Sequence, residues 1–253
     1  MEEKDIWKNV NELFVRAADN INILEEEIDI NVQRQYMAFA KKLAANEEEC
    51  KKLLREAKEN IRSLFSDVMS DKEKKKLLVL LAMIDDVAIY RAIEIFAKQK
   101  GRLKKWATVA LQQSRMLIQS TLMGEASLFV STGLGGHGAN LRYCCVLVVN
   151  NEVALQPYQR DIIQKESELA ITRQGGCIER CEFHDRYVML TLLLPILINL
   201  KAIFKDIIEE CNTYGNFLNE RMILTNVKKI STRDIETFIE NEQSRKLNES
   251  KNE

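Results

Sequence analysis

Proline and histidine are scarce in this sequence, whose 253 residues include two of each. Few prolines leave room for long helices, because an interior proline interrupts a helix. Two histidines leave the six cysteines almost without basic partners, and no Gly-x-Ser-x-Gly segment is present. Nucleophilic catalysis is therefore not indicated. We predict no catalytic residues and no cofactor.

An excess of either charge is also missing, since 37 Lys and Arg residues accompany 38 Asp and Glu residues. Bulk electrostatics therefore selects no partner, although local patches can still attract one. The longest apolar run, Tyr187 to Ile198, has about a dozen residues, whereas a membrane helix needs about 20. The opening residues MEEKDIW do not show the basic segment followed by an apolar stretch that is typical of a secretory signal. The sequence therefore predicts a cytoplasmic protein without membrane contact. The cysteines are interpreted as reduced thiols rather than a disulfide framework.

Residues 1–123 are predicted to form an all-helical domain. This half has no proline and one interior glycine, Gly101. Its apolar residues recur at helical spacing in three successive stripes. The stripes are Ile6, Val10, Leu13, Phe14 and Ala17; Val32, Tyr36, Phe39, Ala40 and Leu43; and Leu53, Leu54, Ala57, Ile61, Leu64 and Phe65.

A helix pair follows a capping box formed by Ser70 and Glu73. Its first helix ends at Ile84, a tight turn follows, and the second helix runs from Val87 to Lys100. This stretch resembles a HEAT-type repeat over about residues 71–121. The resemblance implies helix pairs stacked into a short solenoid with a protein-binding surface. An ordinary helical bundle is the alternative.

The second half, residues 141–239, changes period. Its order is strand, helix, strand, strand, helix, strand, which resembles the ferredoxin-like split βαβ domain. That resemblance implies that the first and third strands are central, and these two are the most apolar. The sequence thus predicts an α+β protein. The four predicted strands are 141–149, 177–184, 187–194 and 222–230.

The central strands are apolar on both faces, so both faces of the sheet need cover. We expect the second face to be covered by the N-terminal half, a second copy of the chain or a partner. A homo-oligomer is expected only if the N-terminal half does not cover it. Binding of RNA to the sheet face is not expected, because the central strands offer few aromatic residues besides Tyr143 and Tyr187.

Residues 124–140 are predicted to form a linker that contains a glycine-rich loop, TGLGGHGA. Glycines of this kind can cradle an anion, and nearby polar side chains can add donors. The glycines lead into a strand rather than a helix, however, which is not the arrangement of a dinucleotide or P-loop fingerprint. A mobile loop is the alternative. The candidate ligand-binding residues are Gly133, Gly135, Gly136, His137 and Arg142.

Cys177, Cys181 and His184 have a spacing that suggests a metal site. In a strand the two sulfur atoms lie roughly 13 Å apart, which is too far to share one zinc ion. The sequence therefore predicts no metal site.

A basic cluster surrounds the turn between two predicted helices. It suits phosphates, and hence nucleic acid, or an acidic protein partner. A solvated turn whose Trp106 faces the core is the alternative. Residues 240–253 are charged and poor in apolar residues, so we predict a disordered tail. The candidate contact residues of the cluster are Lys98, Lys100, Arg102, Lys104 and Lys105.

Together these features predict a non-enzymatic adaptor that docks a protein or ribonucleoprotein partner through its helical surface. The alternative is a small-molecule or nucleotide site, with catalysis as a further option, at residues 133–138. The two differ in whether the glycine-rich loop is ordered beside a pocket with convergent polar groups.

Overall fold

A computed structural model describes residues 21–124, 128–150 and 154–249, and the predicted α+β class is confirmed. The chain divides into two compact units between Gly133 and Leu134, inside the predicted linker. We call them the helical unit and the sheet unit. Across the described residues, no helix is both long enough and apolar enough to cross a bilayer. The first predicted apolar stripe lies outside the described residues.

The helical unit has helices close to the predicted bounds, and the predicted capping box of Ser70 and Glu73 is present. One difference is a parallel pairing of two three-residue strands, which replaces helix at residues 21–23. In chain order the elements are β1 (Ile21–Ile23), α1 (Ile30–Ala44), α2 (Glu47–Glu59), a 3₁₀ helix (Ile61–Phe65), α3 (Asp71–Ala82), α4 (Val87–Lys98), α5 (Lys104–Met123) and β2 (Leu128–Val130).

Helix α3 is the centre of this unit. Its last six residues, Leu77–Ala82, are all buried, and it contacts α1, α2, the 3₁₀ helix, α4 and α5. A solenoid helix contacts only its neighbours in the stack, whereas a helix buried on every side belongs to the middle of a bundle. The described residues therefore favour the helical bundle over the HEAT-like repeat.

The sheet unit has the strand order β7–β4–β6–β5 with every pair antiparallel, as the ferredoxin-like prediction requires. The first and third of the four predicted strands are central, and a short strand, β3, forms a hairpin with the start of β4. The elements are β3 (Gly136–His137), β4 (Asn140–Val149), α6 (Pro157–Arg173), β5 (Cys177–Phe183), β6 (Tyr187–Pro195), α7 (Leu200–Asn212), β7 (Leu218–Thr225) and α8 (Thr232–Glu249).

The second face of the sheet is covered by α8 of the same chain. Cys144, Val146 and Val148 of β4 pack in one apolar cluster with Ile235 and Ile239 of this helix. Our expectation of the N-terminal half, a second copy or a partner is therefore corrected. The physical reason is the spacing of Ile235, Phe238 and Ile239, which puts three apolar side chains on one helical face.

The predicted disordered tail is corrected as well, because α8 continues through residues 240–249. Glu242 is buried and pairs with Arg221 of β7 at 3.1 Å. A paired carboxylate is accommodated in a buried position where an unpaired one is costly. Residues 250–253 lie outside the described residues.

Candidate functional site

The glycine-rich loop is tied to the sheet at both of its sides. Leu134 is buried and its amide donates to the carbonyl of Asn226 at 3.0 Å, while the amide of Arg142 donates to the carbonyl of Gly135 at 2.9 Å. Gly135 and Gly138 have φ values of 73° and 58°, a region that favours glycine. Part of the glycine content is thus required by the hairpin of β3 and β4.

The guanidinium group of Arg142 donates hydrogen bonds to groups of the protein itself. Its Nε and Nη2 atoms donate to the two carboxylate oxygens of Glu179, the second at 2.8 Å, and Nη1 donates to the carbonyl of Leu134 at 3.0 Å. Glu179 lies at a bulge of β5, between the paired residues Ile178 and Arg180. The guanidinium group of Arg142 holds the pKa of Glu179 below its usual range. Such a two-pronged ion pair is a strong structural contact.

Of the five predicted ligand residues, the structure keeps Gly133, Gly135 and Gly136 buried and His137 exposed. His137 pairs with Asn140 in the β3–β4 ladder. Because the guanidinium group of Arg142 donates to Glu179 and Leu134, it does not join other polar groups of the loop around an open space. Ligand binding by these five residues stays a prediction.

The predicted basic cluster lies where α4 ends and α5 begins, and its five cationic residues are exposed. Lys98 pairs with Glu94 at 3.3 Å. Trp106 is buried, with its indole Nε1 donating to the carbonyl of Lys75 at 3.1 Å. The tryptophan therefore faces the core, as the solvated-turn alternative expects, and it also links the turn to α3.

A second lysine-rich segment, at the start of α3, joins the same surface, and sequence reasoning missed it. The Nζ atom of Lys75 lies 4.8 Å from the ring centroid of Trp106, and that of Lys74 lies 6.0 Å from the ring centroid of Phe96. We call the combined surface, residues 72–76 and 98–105, the basic end. It carries nine Lys and Arg residues and one acid, Glu73.

Few acids neutralise the basic end. Glu73 accepts hydrogen bonds from Ser70 in the capping box, and Glu94 is shared between Arg91 and Lys98. In residues 21–124, 128–150 and 154–249, the remaining cations of the turn have no acidic partner within ion-pair distance. These are Lys100, Arg102, Lys104 and Lys105.

Four lysines of the basic end lie in the first turns of two helices, namely Lys72 and Lys74 in α3 and Lys104 and Lys105 in α5. The amino end of a helix is its positive pole, so a cation there is disfavoured by about 0.3–1 kcal/mol. Helix α3 starts at Asp71 and carries four lysines at positions 72–76, and α5 starts with Lys104 and Lys105. Leu103, which precedes α5, provides no side-chain acceptor for the first amides of that helix. The first turn of α3 also contains Asp71 and Glu73, whereas that of α5 contains no acid, so it is at the start of α5 that net positive charge lies where the helix dipole opposes it.

Four of the six cysteines are poorly suited to act as nucleophiles. Burial raises the pKa of Cys181 to about 11 and that of Cys211 to about 12, and it also raises the pKa values of Cys144 and Cys145. A thiol with a raised pKa is protonated at neutral pH and reacts slowly. Within the part of the chain that the structure describes, no group of three or more His, Cys, Asp or Glu residues could hold a metal ion.

No protein-family model matches the chain, and no curated protein matches it in sequence. Two solved structures that match in shape are described as transposases. The first, a putative transposase from Deinococcus radiodurans R1, has a TM-score of 0.36 and 16% identity, and the match covers 42% of this chain and 93% of that protein. The second is a REP-associated tyrosine transposase bound to a REP hairpin. It has a TM-score of 0.31 and 11% identity, and the match covers 39% of this chain and 61% of that protein.

These neighbours overturn the predicted function. Both are described as transposases rather than as non-enzymatic adaptors, so the prediction of an adaptor that docks a protein or ribonucleoprotein partner is wrong. TM-scores this low do not assign the activity of either transposase to this chain.

Proposed function

We propose that the helical unit binds nucleic acid through the basic end. The observation that carries this proposal is the contact of Lys75 with Trp106, through both the indole hydrogen bond and the ring face. This contact brings two lysine-rich segments, about 25 residues apart in sequence, to one surface. Neither segment alone has the charge of the pair.

The placement of the lysines supports a binding role. Charges that serve only solubility have no reason to gather in the first turn of α5, where no acid accompanies them and the helix dipole disfavours them. Positive charge that costs stability is expected where it is needed for function. An anion that reaches the start of α5 also meets backbone amides for which Leu103 supplies no acceptor.

The charge density favours nucleic acid over an acidic protein. Nine cations and one acid lie within 13 residues, on a surface formed by helix ends. A nucleic acid carries a condensed layer of counterions, and their release on binding drives association with such a surface. An acidic protein surface rarely reaches that charge density. Lysine heads on flexible stems can follow a phosphate backbone without sequence readout.

A titration of labelled oligonucleotides of DNA and RNA, followed by fluorescence anisotropy at several salt concentrations, tests the proposal. We expect binding whose affinity falls linearly with salt on logarithmic axes. The double variant Lys104→Gln with Lys105→Gln should weaken binding to every sequence and lower the salt slope by about 1.5–2.

The matched control is Lys51→Gln with Lys52→Gln, an adjacent exposed pair in α2 that is held by acids of its own helix. This variant should bind like the unaltered protein. Equal loss in both variants, or binding that does not respond to salt, contradicts the proposal. Tighter binding of polyglutamate than of the oligonucleotides assigns the basic end to an acidic protein instead. The cytoplasmic location stays a prediction, which cell fractionation tests.

A further inference from the structure

An aromatic side chain is left exposed at the margin of the basic end. Phe65, the last residue of the 3₁₀ helix, is 41% exposed. Its ring packs edge-on against Phe96 of α4, with the centroids 5.9 Å apart at an interplanar angle of 71°. Part of the Phe65 ring is therefore fixed by a neighbour while the rest meets solvent.

One contact joins this aromatic pair to the lysines. Lys74 of the basic end lies over the ring of Phe96, and Lys98 follows Phe96 by two residues on the same helix. Two further apolar side chains of the same segments are exposed, Val68 at 95% and Ile95 at 57%.

The nearby acids are engaged or few. Asp67 is exposed in the loop between Phe65 and α3, Asp71 is exposed as the first residue of α3, and Glu73 is held in the capping box with Ser70. The four lysines of positions 72–76 outnumber them. A polyanion is thus still attracted to the surface beside Phe65.

We propose that the basic end prefers single-stranded nucleic acid and that a base stacks on Phe65 while the lysines contact the phosphates. This proposal rests on the proposed function. Proteins that hold single strands without sequence preference combine a positively charged surface with aromatic rings for the bases. A duplex keeps its base faces inside the stack, so it can use the lysines but not the ring. Phe65 therefore distinguishes the two forms of nucleic acid.

The test compares three probes of about 20 nucleotides, long enough for a site of about 4–16 nucleotides. They are an oligothymidylate, an abasic strand with the same phosphates, and a DNA duplex. Phe65→Leu keeps an apolar side chain but removes the ring. We expect it to weaken binding of oligothymidylate by about fivefold to a hundredfold, and to leave the abasic strand and the duplex within twofold. Phe65→Tyr should bind oligothymidylate like the unaltered protein.

Tyr214→Leu, which removes an exposed aromatic ring of the sheet unit, is the matched control and should change nothing. Thermal unfolding shows whether each variant is folded, and recovery in Phe65→Tyr separates loss of the ring from loss of structure. Equal binding of the oligothymidylate and abasic strands, or equal losses on all three probes, overturns base stacking while the proposed function stands. If none of the probes binds, both proposals fail.

Discussion

Arg142 in the sheet unit and Lys104 with Lys105 in the helical unit are positive side chains beside a turn, and their surroundings differ. Arg142 faces a carboxylate and a carbonyl that together accept from three of its nitrogen atoms. The two lysines begin a helix, with no acid of the described residues paired with them. The first arrangement uses charge to hold strands together, and the second leaves charge available.

The difference shows that a cation is available to bind a partner molecule only when no acid of the protein already pairs with it. Arg142 lies on a central strand, and Glu179 lies on the edge strand two positions away across β6. The bulge at Glu179 lets the two meet. Helix ends have no neighbouring strand to supply a carboxylate. A positive residue is therefore a better candidate contact when it lies at the end of an element than when it lies in the middle of a sheet.

Removing most of the charge of the turn is expected to have the largest effect. The variant Lys100→Gln, Arg102→Gln, Lys104→Gln and Lys105→Gln should bind an oligonucleotide roughly a hundredfold more weakly or worse at about 0.1 M salt. With four fewer cations, the protein displaces fewer counterions from the nucleic acid when it binds. Anisotropy titrations measure this, and the salt slope should fall by about 3. Unchanged affinity would show that the charge of the turn is not used.

Arg142→Gln should have the opposite profile. It leaves the carboxylate of Glu179 without its main donors, so the free energy of unfolding should fall by about 1–2 kcal/mol, while oligonucleotide affinity stays within twofold. Urea unfolding provides the measurement. Arg180→Gln is the control, because Arg180 is an exposed residue next to Glu179 in β5. Its free energy of unfolding should lie within about 0.5 kcal/mol of that of the unaltered protein. A binding defect in Arg142→Gln without loss of stability would reverse the comparison.

Glu179→Gln should show the same contact through its pH dependence. The pKa of Glu179 is lowered in the folded protein from its ordinary value of 4.5, chiefly by Arg142. The contact therefore contributes its full stability above that ordinary value and loses it as pH falls through the lowered pKa. The difference in unfolding free energy between the protein and this variant should be largest near neutral pH and shrink in acid. A difference that grows in acid contradicts this assignment.

The smallest expected effect has an unusual sign. Neutralising Lys104 and Lys105 removes two cations from the positive pole of α5, so the free energy of unfolding should rise by about 0.3–1 kcal/mol. The control pair, Lys51→Gln with Lys52→Gln, breaks ion pairs within α2 and should lower it by a few tenths of a kcal/mol. Urea unfolding at low salt resolves the two. A loss of stability at Lys104 and Lys105 would indicate a structural role.

Local patterns in the sequence predict much of this fold. The helical spacing of apolar residues predicts most of the helices, and the apolar runs correctly distinguish central from edge strands in the sheet. The last helix carries its own start signal in the sequence. Ser231 and Asp234 cap each other at its start, and the spacing of Ile235, Phe238 and Ile239 is helical. The charged residues that follow mask the pattern when the segment is judged by composition.

Contacts between distant segments could not be predicted in this way. The ion pair of Arg142 with Glu179 depends on strand order and on a bulge, and the burial of Glu242 depends on Arg221 of another element. The basic end is half predictable. The turn at Lys98–Lys105 can be recognised in the sequence by its charge. That the lysines of α3 lie on the same surface cannot, because this depends on the packing of Trp106 against that helix.

The position of α8 in the chain has a consequence for synthesis on the ribosome. The four long strands of the sheet are complete at Thr225, but the helix that covers their second face ends 24 residues later, at Glu249. At about 5–20 residues per second, these 24 residues take about 1–5 s to be made. For that interval Cys144, Val146 and Val148 lack the cover that α8 provides, so the newly made sheet is at its greatest risk of aggregation before α8 is complete.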